Sequence, residues 1–348
     1  MVFTKFGNNL PDYFSLEHYP GLFRSYSWLH AWKTIWGNEP AIELCFEGNL
    51  NQSVYSYKQN IKRIIPVVTA FPLGISTSAA PSIRSEYFFL PEKSNNDSVG
   101  AAKTYLNAIA IAKWDQFYIP DVLAESADFF ALQQAASLQQ WDFVIADKNT
   151  TYGIDVSNHT FPSYLASLGA NTRLKLYNRR KNLDALGQLE IQNIWPDKNH
   201  FIEIINVFHE RRWGKPCYQG KNAAFICLLL EGLVKEGHSV DLSVMTIDKQ
   251  PISVVLDIRV NGRVYNLQSG YLEDFAKGIS LGTLHFGYQI EAAFKSDQID
   301  FYDFMAGNGK NSNYKASLAN KTAQFNTVIL VRNPILKMLY KIRKWFGK

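Results

Sequence analysis

The chain has 348 residues, 47% of them hydrophobic and 14% aromatic, so it can hold two packed domains and is too apolar for a disordered protein. Its formal net charge of +5 is compatible with an anionic ligand but does not require a nucleic acid, and DNA binding is not expected. Three scattered cysteines (Cys45, Cys217 and Cys227) provide neither a metal-binding spacing nor a disulfide framework, which favours a reducing cytosol. The first residues lack the apolar core of a signal peptide, and no apolar run reaches about eighteen residues. We therefore expect a cytoplasmic protein without a membrane-spanning helix.

The first half alternates strands with helices. A helix is predicted at 27–36, because Trp28, Trp32 and Ile35 share one face and Gly37 follows. Strands are predicted at 41–46, 61–70, 87–90, 114–119 and 141–146, and helices at 101–113 and 121–140. The polar run at 147–149 predicts a boundary between an N-terminal domain, 1–148, and a C-terminal domain, 149–332.

The second half opens with predicted helices. Thr160 is a predicted N-cap with Pro162 in the first turn, and a basic helix is predicted at 171–186. An amphipathic helix is predicted from Phe201 to about Trp213-Gly214, and another at 225–234.

The stretch 241–313 is the most informative. Alternating apolar residues predict strands near 242–244, at 252–258 and at 264–271, with Asn261-Gly262 as a two-residue hairpin turn. A loop at 277–282 precedes a predicted helix, and a further strand is predicted at 299–304. A helix start preceded by Gly and Ser offers unpaired backbone N–H groups and a positive dipole end, which suits a phosphate. A long ligand such as acyl-CoA would lie along the preceding strand with its phosphates on the loop.

The chain ends with a predicted strand at 324–331 and a basic tail at 333–348. The apolar tail residues stand at helical spacing among lysines and arginines. Such a helix either lies on an anionic membrane or docks on the domain or on another subunit.

Several short motifs resemble the GNAT acyltransferase superfamily, and within it the branch of CelD-like cellulose-biosynthesis proteins and Fem-type peptidyltransferases. The motifs are Ser27-Trp28-Leu29-x-x-Trp32, Arg173 with Arg179 and Arg180, Leu267-Gln268-Ser269-Gly270-Tyr271, the 277–282 loop, and Tyr302-Asp303-Phe304 followed by Gly307 and Tyr314-Lys315. The ordinary GNAT phosphate signature is Gln/Arg-x-x-Gly-x-Gly/Ala, from which Lys277-Gly278-Ile279-Ser280-Leu281-Gly282 departs. The resemblance implies an α/β (α+β) fold of tandem GNAT-like domains, with mixed, mostly antiparallel sheets flanked by helices. A faint internal repeat of strand, strand, helix and strand agrees with it.

The resemblance also implies acyl transfer from acyl-CoA, in the first place acetyl-CoA, to an amine. This reaction needs a donor to the thioester oxygen, a base for the amine and an acid for the leaving thiolate. The candidate cofactor-binding residues are Gln268, Ser269 and Gly270 as backbone donors, and Lys277, Gly278, Ser280 and Gly282 as a phosphate cradle.

Side chains of the second half are candidates for proton transfer and substrate binding. The catalytic candidates are Asp303 and Glu210 as bases, Tyr314 as the acid, and Lys315 as the partner of an anionic group of the substrate or cofactor. The substrate-binding candidates are Trp213, Tyr271 and Arg179. Each has an ordinary alternative, such as a capping carboxylate, a stacked tyrosine or a solvated helix end. No metal site is expected, since the run from His209 to Trp213 is not His-Glu-x-x-His.

Three functions are compatible with these patterns. The first is acyl-CoA-dependent transfer to an amine, such as an amino sugar in surface-polysaccharide synthesis, and the absence of a Gly-x-Ser-x-Gly elbow favours direct attack. The second is a Fem-type transferase that uses aminoacyl-tRNA. The third is a non-catalytic GNAT-like scaffold in a biosynthetic complex. The tail adds a possible peripheral contact with the inner face of the membrane.

Overall fold

Eleven strands form one continuous sheet in the computed structural model, which describes residues 21–45, 49–61, 64–91, 97–307 and 310–345. The strands are β1 Glu43–Leu44, β2 Val54–Ile61, β3 Ile65–Pro72, β4 Gln116–Leu123, β5 Asp142–Asp155, β6 Leu189–Asn193, β7 Ser239–Ile247, β8 Gln250–Val260, β9 Arg263–Tyr271, β10 Phe301–Ala306 and β11 Lys321–Val331. The helices are α1 Tyr26–Trp36, α2 Ser98–Ala110, α3 Ala127–Leu138, α4 Phe161–Ser167, α5 Ala170–Arg173, α6 Arg180–Asp184, α7 Lys198–Trp213, α8 Lys221–Lys235, α9 Leu281–Phe294, α10 Lys310–Leu318 and α11 Pro334–Trp345, with a π-helical turn Leu174–Asn178 between α5 and α6. The N-terminal residues judged for a signal peptide, and tail residues 346–348, lie outside the described ranges.

The predicted fold class is confirmed. The strand order is β1-β2-β3-β4-β11-β5-β10-β9-β8-β7-β6, and the pairs are antiparallel except for β3–β4 and β9–β10. Helices cover both faces, because alternate residues of the strands belong to different apolar clusters.

The sheet contains two halves with the same order of elements. The first is β2-β3-α2-β4-α3-β5 and the second is β8-β9-α9-β10-α10-β11. Their last strands are exchanged, since β5 pairs with β10 and β11 pairs with β4, and these two strands also pair with each other from Lys321↔Gly153 to Val331↔Asp142. The predicted boundary at 148–149 falls inside β5, so each half completes the sheet of the other. The division into domains stays a proposal.

Local signals fixed many element ends as predicted. Asn261 and Gly262 both have positive φ, 48° and 77°, and join β8 directly to β9. Thr160 caps α4 in a capping box with Ser163. Helix α7 ends at Gly214 in the left-handed region.

Tertiary contacts overrode two predictions. The helix predicted at 121–140 is wrong at its start, because Val122 and Leu123 continue β4 along β11 and α3 begins only after Ser126, its cap. The single helix predicted at 171–186 is interrupted by the π-helical turn, which packs on α9. No prediction covered β2, β6 or α10.

Each half contains a wedge, formed where its parallel strands diverge. In the second wedge β9 and β10 pair only from Arg263↔Phe301 to Tyr265↔Asp303, after which β9 continues to Tyr271 alone on that side and β10 stays with β5. In the first wedge β3 and β4 pair only at two positions, and Phe88 then pairs in parallel with Val122 of β4. Residues 85–90 are all buried and fill this first wedge. The strand predicted at 87–90 is therefore a single bridge.

The tail helix α11 docks on the sheet through one side. Leu336 is buried in a cluster with Val67, Ile329 and Val331. This contact agrees with the docking alternative for that side of the helix.

Candidate functional site

A bulge in β9 shapes the edge of the second wedge. Leu256 and Asp257 of β8 pair with Gln268 and Asn266, so Leu267 between them has no partner on β8. The carbonyl of Gly270 faces β8, where it accepts a 3.3 Å bond from the Ser253 hydroxyl. Because successive residues of a strand turn their backbone groups to opposite sides, the N–H and C=O of Ser269 face the wedge.

The backbone of Ser269 is thus the best placed of the three predicted donors. Its carbonyl accepts a 3.0 Å bond from His209 Nε2, and its N–H has a long 3.3 Å contact with the side-chain oxygen of Gln268. The Gln268 amide also donates to Cys217 Sγ. Gly270 packs against Ile205 and Phe208, where a Cβ would meet atoms at 3.2–3.4 Å. A ligand oxygen can therefore replace the weak contact at the Ser269 N–H.

Helix α7 brings His209 to this edge and turns Glu210 away from it. Phe201, Ile205 and Phe208 form the buried face of α7, His209 borders that face, and Glu210 is exposed. Burial lowers the pKa of His209, and the nearby Arg212 lowers it further. With Nε2 donating to a carbonyl, Nδ1 is the basic nitrogen of a neutral imidazole. His209 is therefore a second candidate base beside the predicted Glu210, and it is the one in contact with β9.

Aromatic and cationic side chains meet at the mouth of the second wedge. Arg212 donates a 2.7 Å bond to the Tyr271 hydroxyl, and its guanidinium lies 4.8 Å from the centre of the Trp213 ring. Burial, with Tyr271 nearby, raises the pKa of Tyr314 to about 12, and its ring stacks on Phe286. Tyr314 is therefore a protonated phenol at neutral pH and can act as an acid.

The start of α9 lies at the same end. Its N-cap, Ser280, makes no side-chain cap bond, so the backbone N–H groups of the first turn are not occupied by it. Gly278 has a φ of +79°, and a Cβ there would lie 2.0 Å from the Arg179 guanidinium. Lys277 is exposed beside it, and the Tyr271 ring covers Gly282. The predicted cradle thus combines a helix start that has no cap bond from Ser280 with two nearby cations, which suits an anion.

The interrupted basic helix explains how Arg179 reaches this loop. The π-helical turn approaches α9 so closely that a Cβ on Gly287 would lie 2.1 Å from the Leu176 carbonyl oxygen. Arg180 turns to Glu291 of α9 with a side-chain ion pair. These contacts anchor the basic segment beside the start of the phosphate loop.

Strand β10 forms the other edge of the second wedge, and buried side chains bind its backbone. Asp303 is fully buried and ion-pairs with buried Arg263 at 3.0 Å. Its other oxygen accepts the N–H of Met305 at 2.7 Å, where β10 bulges and φ is +63°. Both carboxylate oxygens are engaged, which favours the alternative of a carboxylate that holds the backbone. The assignment of Asp303 as a base stays a prediction.

Glu86 and Lys315 hold the next residue of β10. The Ala306 N–H donates to Glu86 at 2.9 Å, and Lys315 Nζ donates to the Ala306 carbonyl at 2.8 Å and to the Met305 carbonyl at 3.3 Å. Burial raises the pKa of Glu86 to about 7, against the effect of Arg84 at 3.4 Å. Burial lowers the pKa of Lys315, and Glu86 opposes this shift. Lys315 Nζ thus bonds to backbone carbonyls of β10, and its predicted contact with an anionic group of substrate or cofactor stays a prediction.

Direct contacts connect several of the predicted residues. The Tyr271 hydroxyl bonds to Arg212, which lies beside Trp213, and the Tyr271 ring packs on Gly282, while Arg179 lies beside Gly278. The prediction missed the roles of His209, Arg212, Arg263 and Glu86. His209 and Arg212 could have been found from the edge of the apolar face of α7. Glu86 stands 220 residues from Ala306 and carries no sequence signal.

Within the described ranges, no group of three or more His, Cys, Asp or Glu residues could hold a metal ion. Burial raises the pKa of Cys217 to about 11 and raises that of Cys227 and of Cys45, so these thiols are protonated at neutral pH. A cysteine nucleophile needs the thiolate form. No helix in the described part of the chain has the length and apolar character needed to cross a membrane.

One family model matches part of the second half. Residues 170–316 match the family model described as an acetyltransferase (GNAT) domain. No curated protein matches the chain by sequence.

Three solved structures show the same fold over most of the chain. FemX is 11% identical with a TM-score of 0.57, over 91% of this chain and 94% of FemX. A conserved protein of unknown function from Bacteroides thetaiotaomicron is 11% identical with a TM-score of 0.55, over 88% and 90%. The C-terminal domain (DUF2156) of a putative lysylphosphatidylglycerol synthetase from Agrobacterium fabrum is 10% identical with a TM-score of 0.52, over 94% of each chain. At such identities the likeness concerns the fold alone, and it covers both halves.

Proposed function

We propose that the chain is an N-acyltransferase that moves an acyl group from acyl-CoA to an amine by direct attack in the second wedge. One observation carries the proposal: the wedge-facing N–H of Ser269 lies beside the neutral His209. The GNAT domain match over 170–316 supports the same reaction class. Catalysis is thereby assigned to the predicted domain 149–332, braced by residues of the first half.

The roles follow the charge changes of the reaction. The amine nitrogen attacks the thioester carbon, a C–N bond forms, and the carbonyl oxygen gains negative charge at the Ser269 N–H. His209 Nδ1 takes the amine proton. The C–S bond breaks, and the Tyr314 hydroxyl donates a proton to the thiolate. An N–H donor of this kind contributes about 3 kcal/mol to the barrier reduction, and a base and an acid about 10²–10⁴-fold each.

The cofactor phosphates belong at the start of α9. The helix start after Ser280, which has no side-chain cap bond, supplies the positive potential together with Arg179 and Lys277. The cradle has no ordinary GNAT signature, but its backbone N–H groups do not depend on side-chain identity. Acetyl-CoA is the first donor to test.

The acceptor is proposed to be an amino sugar, the class implied by the family resemblance. The exposed Trp213 indole, 58% accessible, offers a flat apolar surface at the wedge mouth. Such a surface packs well on a sugar ring. The CelD-like assignment and a polysaccharide pathway stay predictions.

Release of free CoA tests the proposal. The protein is incubated with acetyl-CoA and longer acyl-CoAs, with and without a panel of amino sugars and other amines, and thiol release and product mass are recorded. We expect release that requires both substrates and an acylated amine. Neither thiol release nor cofactor binding with any donor would favour the scaffold alternative.

A Fem-type activity is the second candidate, favoured by the fold likeness to FemX at a TM-score of 0.57. It predicts that aminoacyl-tRNA replaces acyl-CoA as the donor. Binding of charged tRNA that weakens steeply with salt would support it, since each phosphate contact adds to the salt dependence. Under the acyl-CoA proposal, charged tRNA is not consumed.

A further inference from the structure

The tail helix α11 has an exposed apolar side. Leu336 docks on the sheet, whereas Ile335, Met338 and Ile342 are 62%, 56% and 44% exposed. These three are separated by three and four residues, so they form one stripe along the helix. The docked side therefore accounts for only part of the amphipathic pattern.

The charge of this helix has one sign. Pro334–Trp345 contains Lys337, Lys341, Arg343 and Lys344 and no acidic residue. Lys341 is largely exposed and lies 3.6 Å from Asp142 of β5, a loose contact that leaves its charge near the surface. An apolar stripe beside cations is the pattern of helices that lie in the interface of an anionic bilayer.

Other apolar side chains adjoin the stripe. Arg332 donates to the carbonyls of Ala110 and Ala112, which places Ile111, 87% exposed, next to the start of α11. The Lys337 ammonium donates to the Gln140 carbonyl, just beyond exposed Leu138. The apolar surface thus extends past one helix.

A groove of about 1020 Å³ runs along the same region. It lies between the end of α3, the start of β5 and α11, and Ile145, Lys341 and Arg343 are among its lining residues. It gives room for a phosphate-bearing headgroup between cations and an apolar wall.

We propose that this face, consisting of the exposed stripe of α11 with its flanking cations, binds the surface of an anionic membrane. The charge favours an anionic membrane over a second copy of the chain. Pairing two copies of α11 would bring together two helices that each carry four basic residues and no acidic residue, and these repel each other. The stripe supplies the apolar insertion and the lysines the attraction to acidic headgroups. The inference does not depend on the acyl-transfer proposal.

Co-sedimentation of the full chain with vesicles tests it. Phosphatidylserine-containing vesicles are compared with phosphatidylcholine vesicles at low and high salt. We expect binding to the anionic vesicles that weakens with salt. The triple variant Ile335→Ser/Met338→Ser/Ile342→Ser should lose about tenfold in partition coefficient, since it removes the inserted apolar area. Lys337→Gln/Lys341→Gln should lose the preference for anionic lipid.

A matched control replaces exposed apolar residues elsewhere. Leu186 and Val207 are each 46% exposed, so Leu186→Ser/Val207→Ser removes similar surface on other elements and should bind vesicles like the wild type. Circular dichroism melting shows whether each variant is folded. The lysine variant keeps the apolar stripe and gives a second measurement if the triple variant is unstable.

Three results would overturn the inference. The wild type fails to bind either vesicle, the triple variant binds as well as the wild type, or light scattering shows a dimer that the triple variant abolishes. The last result would assign the stripe to a second copy of the chain.

Discussion

The two wedges have the same origin in the topology and different contents. In the first, Phe88 pairs with β4 and buried residues 85–90 occupy the space where β3 and β4 diverge. The start of α2 is capped by the Asp97 carboxylate, which accepts the Gly100 N–H at 2.8 Å. In the second, the described segments provide no strand beside the free edge of β9, and the Ser280 side chain makes no cap bond on α9.

The two halves share one order of elements but differ in what fills the wedge and in what caps the helix start. The first half uses its wedge and helix start for its own stability, with a carboxylate where a phosphate would bind. One residue of the plugging segment, Glu86, reaches across and fixes Ala306 at the edge of the second wedge. Under the proposed function, the first half therefore supports a site that belongs to the second half.

The largest expected effect is a loss of turnover when the proposed base, His209, is replaced. His209→Gln keeps a donor for the Ser269 carbonyl but removes the basic nitrogen. We expect turnover to fall by about 100-fold or more while melting behaviour is retained. Steady-state thiol release measures it.

Glu210→Gln is the matched control for that variant. It lies one residue further along α7 and is exposed, so its turnover should stay near that of the wild type. An equal loss in both variants would remove His209 from the proposed mechanism.

The next effect concerns the buried support of the second wedge. Asp303→Asn leaves buried Arg263 without its counter-charge, so the free energy of unfolding should fall by about 3–5 kcal/mol. Chemical denaturation measures it. Lys198→Gln, which breaks the surface pair with Glu231, should cost less than about 1 kcal/mol. Full stability with lost turnover in Asp303→Asn would restore Asp303 as a catalytic residue.

A third variant copies a feature of the first wedge into the second. Ser280→Asp places at α9 the carboxylate cap that Asp97 provides at α2, where it occupies N–H groups and repels phosphates. We expect the Kd for CoA to rise about tenfold or more without loss of stability. Calorimetric titration and melting record the two effects.

The reciprocal change is Asp97→Ala. It should lower the unfolding free energy by about 1 kcal/mol, because a cap is lost, and leave CoA affinity unaltered. Loss of CoA binding in Asp97→Ala would place the cofactor in the wrong half.

The pH dependence of catalysis follows from His209. Burial lowers its pKa from an ordinary value of 6.5, and the base must be unprotonated. The value of kcat/KM should therefore be constant near neutral pH and fall as the pH drops through the lowered pKa. This acid limb should disappear in the residual activity of His209→Gln, and a limb that persists there belongs to another group.

The smallest expected effect is on the pH dependence of the unfolding free energy, to which Glu86 contributes. Its pKa rises from 4.5 to about 7 on folding, so its protonated form stabilises the protein below 4.5, and this contribution is lost as the pH rises through about 7. Glu86→Gln should flatten the fall in unfolding free energy across that window. An unchanged slope would show that Glu86 is ionised throughout it.

Elements specified by neighbouring residues could be predicted from the sequence. Asn261-Gly262 set the hairpin, Thr160 the start of α4, and the apolar periodicity of 201–208 the buried face of α7. The cradle at the start of α9 was predicted for the same reason, since Gly278 and Ser280 act locally.

Features made by distant contacts could not be predicted. The exchange of β5 and β11 depends on pairing that spans more than half of the chain, and the Glu86–Ala306 contact joins different halves. The sequence presents Asp303 as a candidate base, because no residue near it in the chain reveals its ion pair with Arg263. Glu210 and His209 differ by one residue, and only the packing of α7 decides which of them reaches the wedge.

Hydrogen exchange of the intact protein, with and without saturating CoA, tests the difference between the wedges most directly. We predict slower exchange at 266–271 and 278–284, and unchanged exchange at 85–91 and 97–104. Protection confined to the first wedge, or no protection in either, would contradict the assignment of the cofactor to the second half.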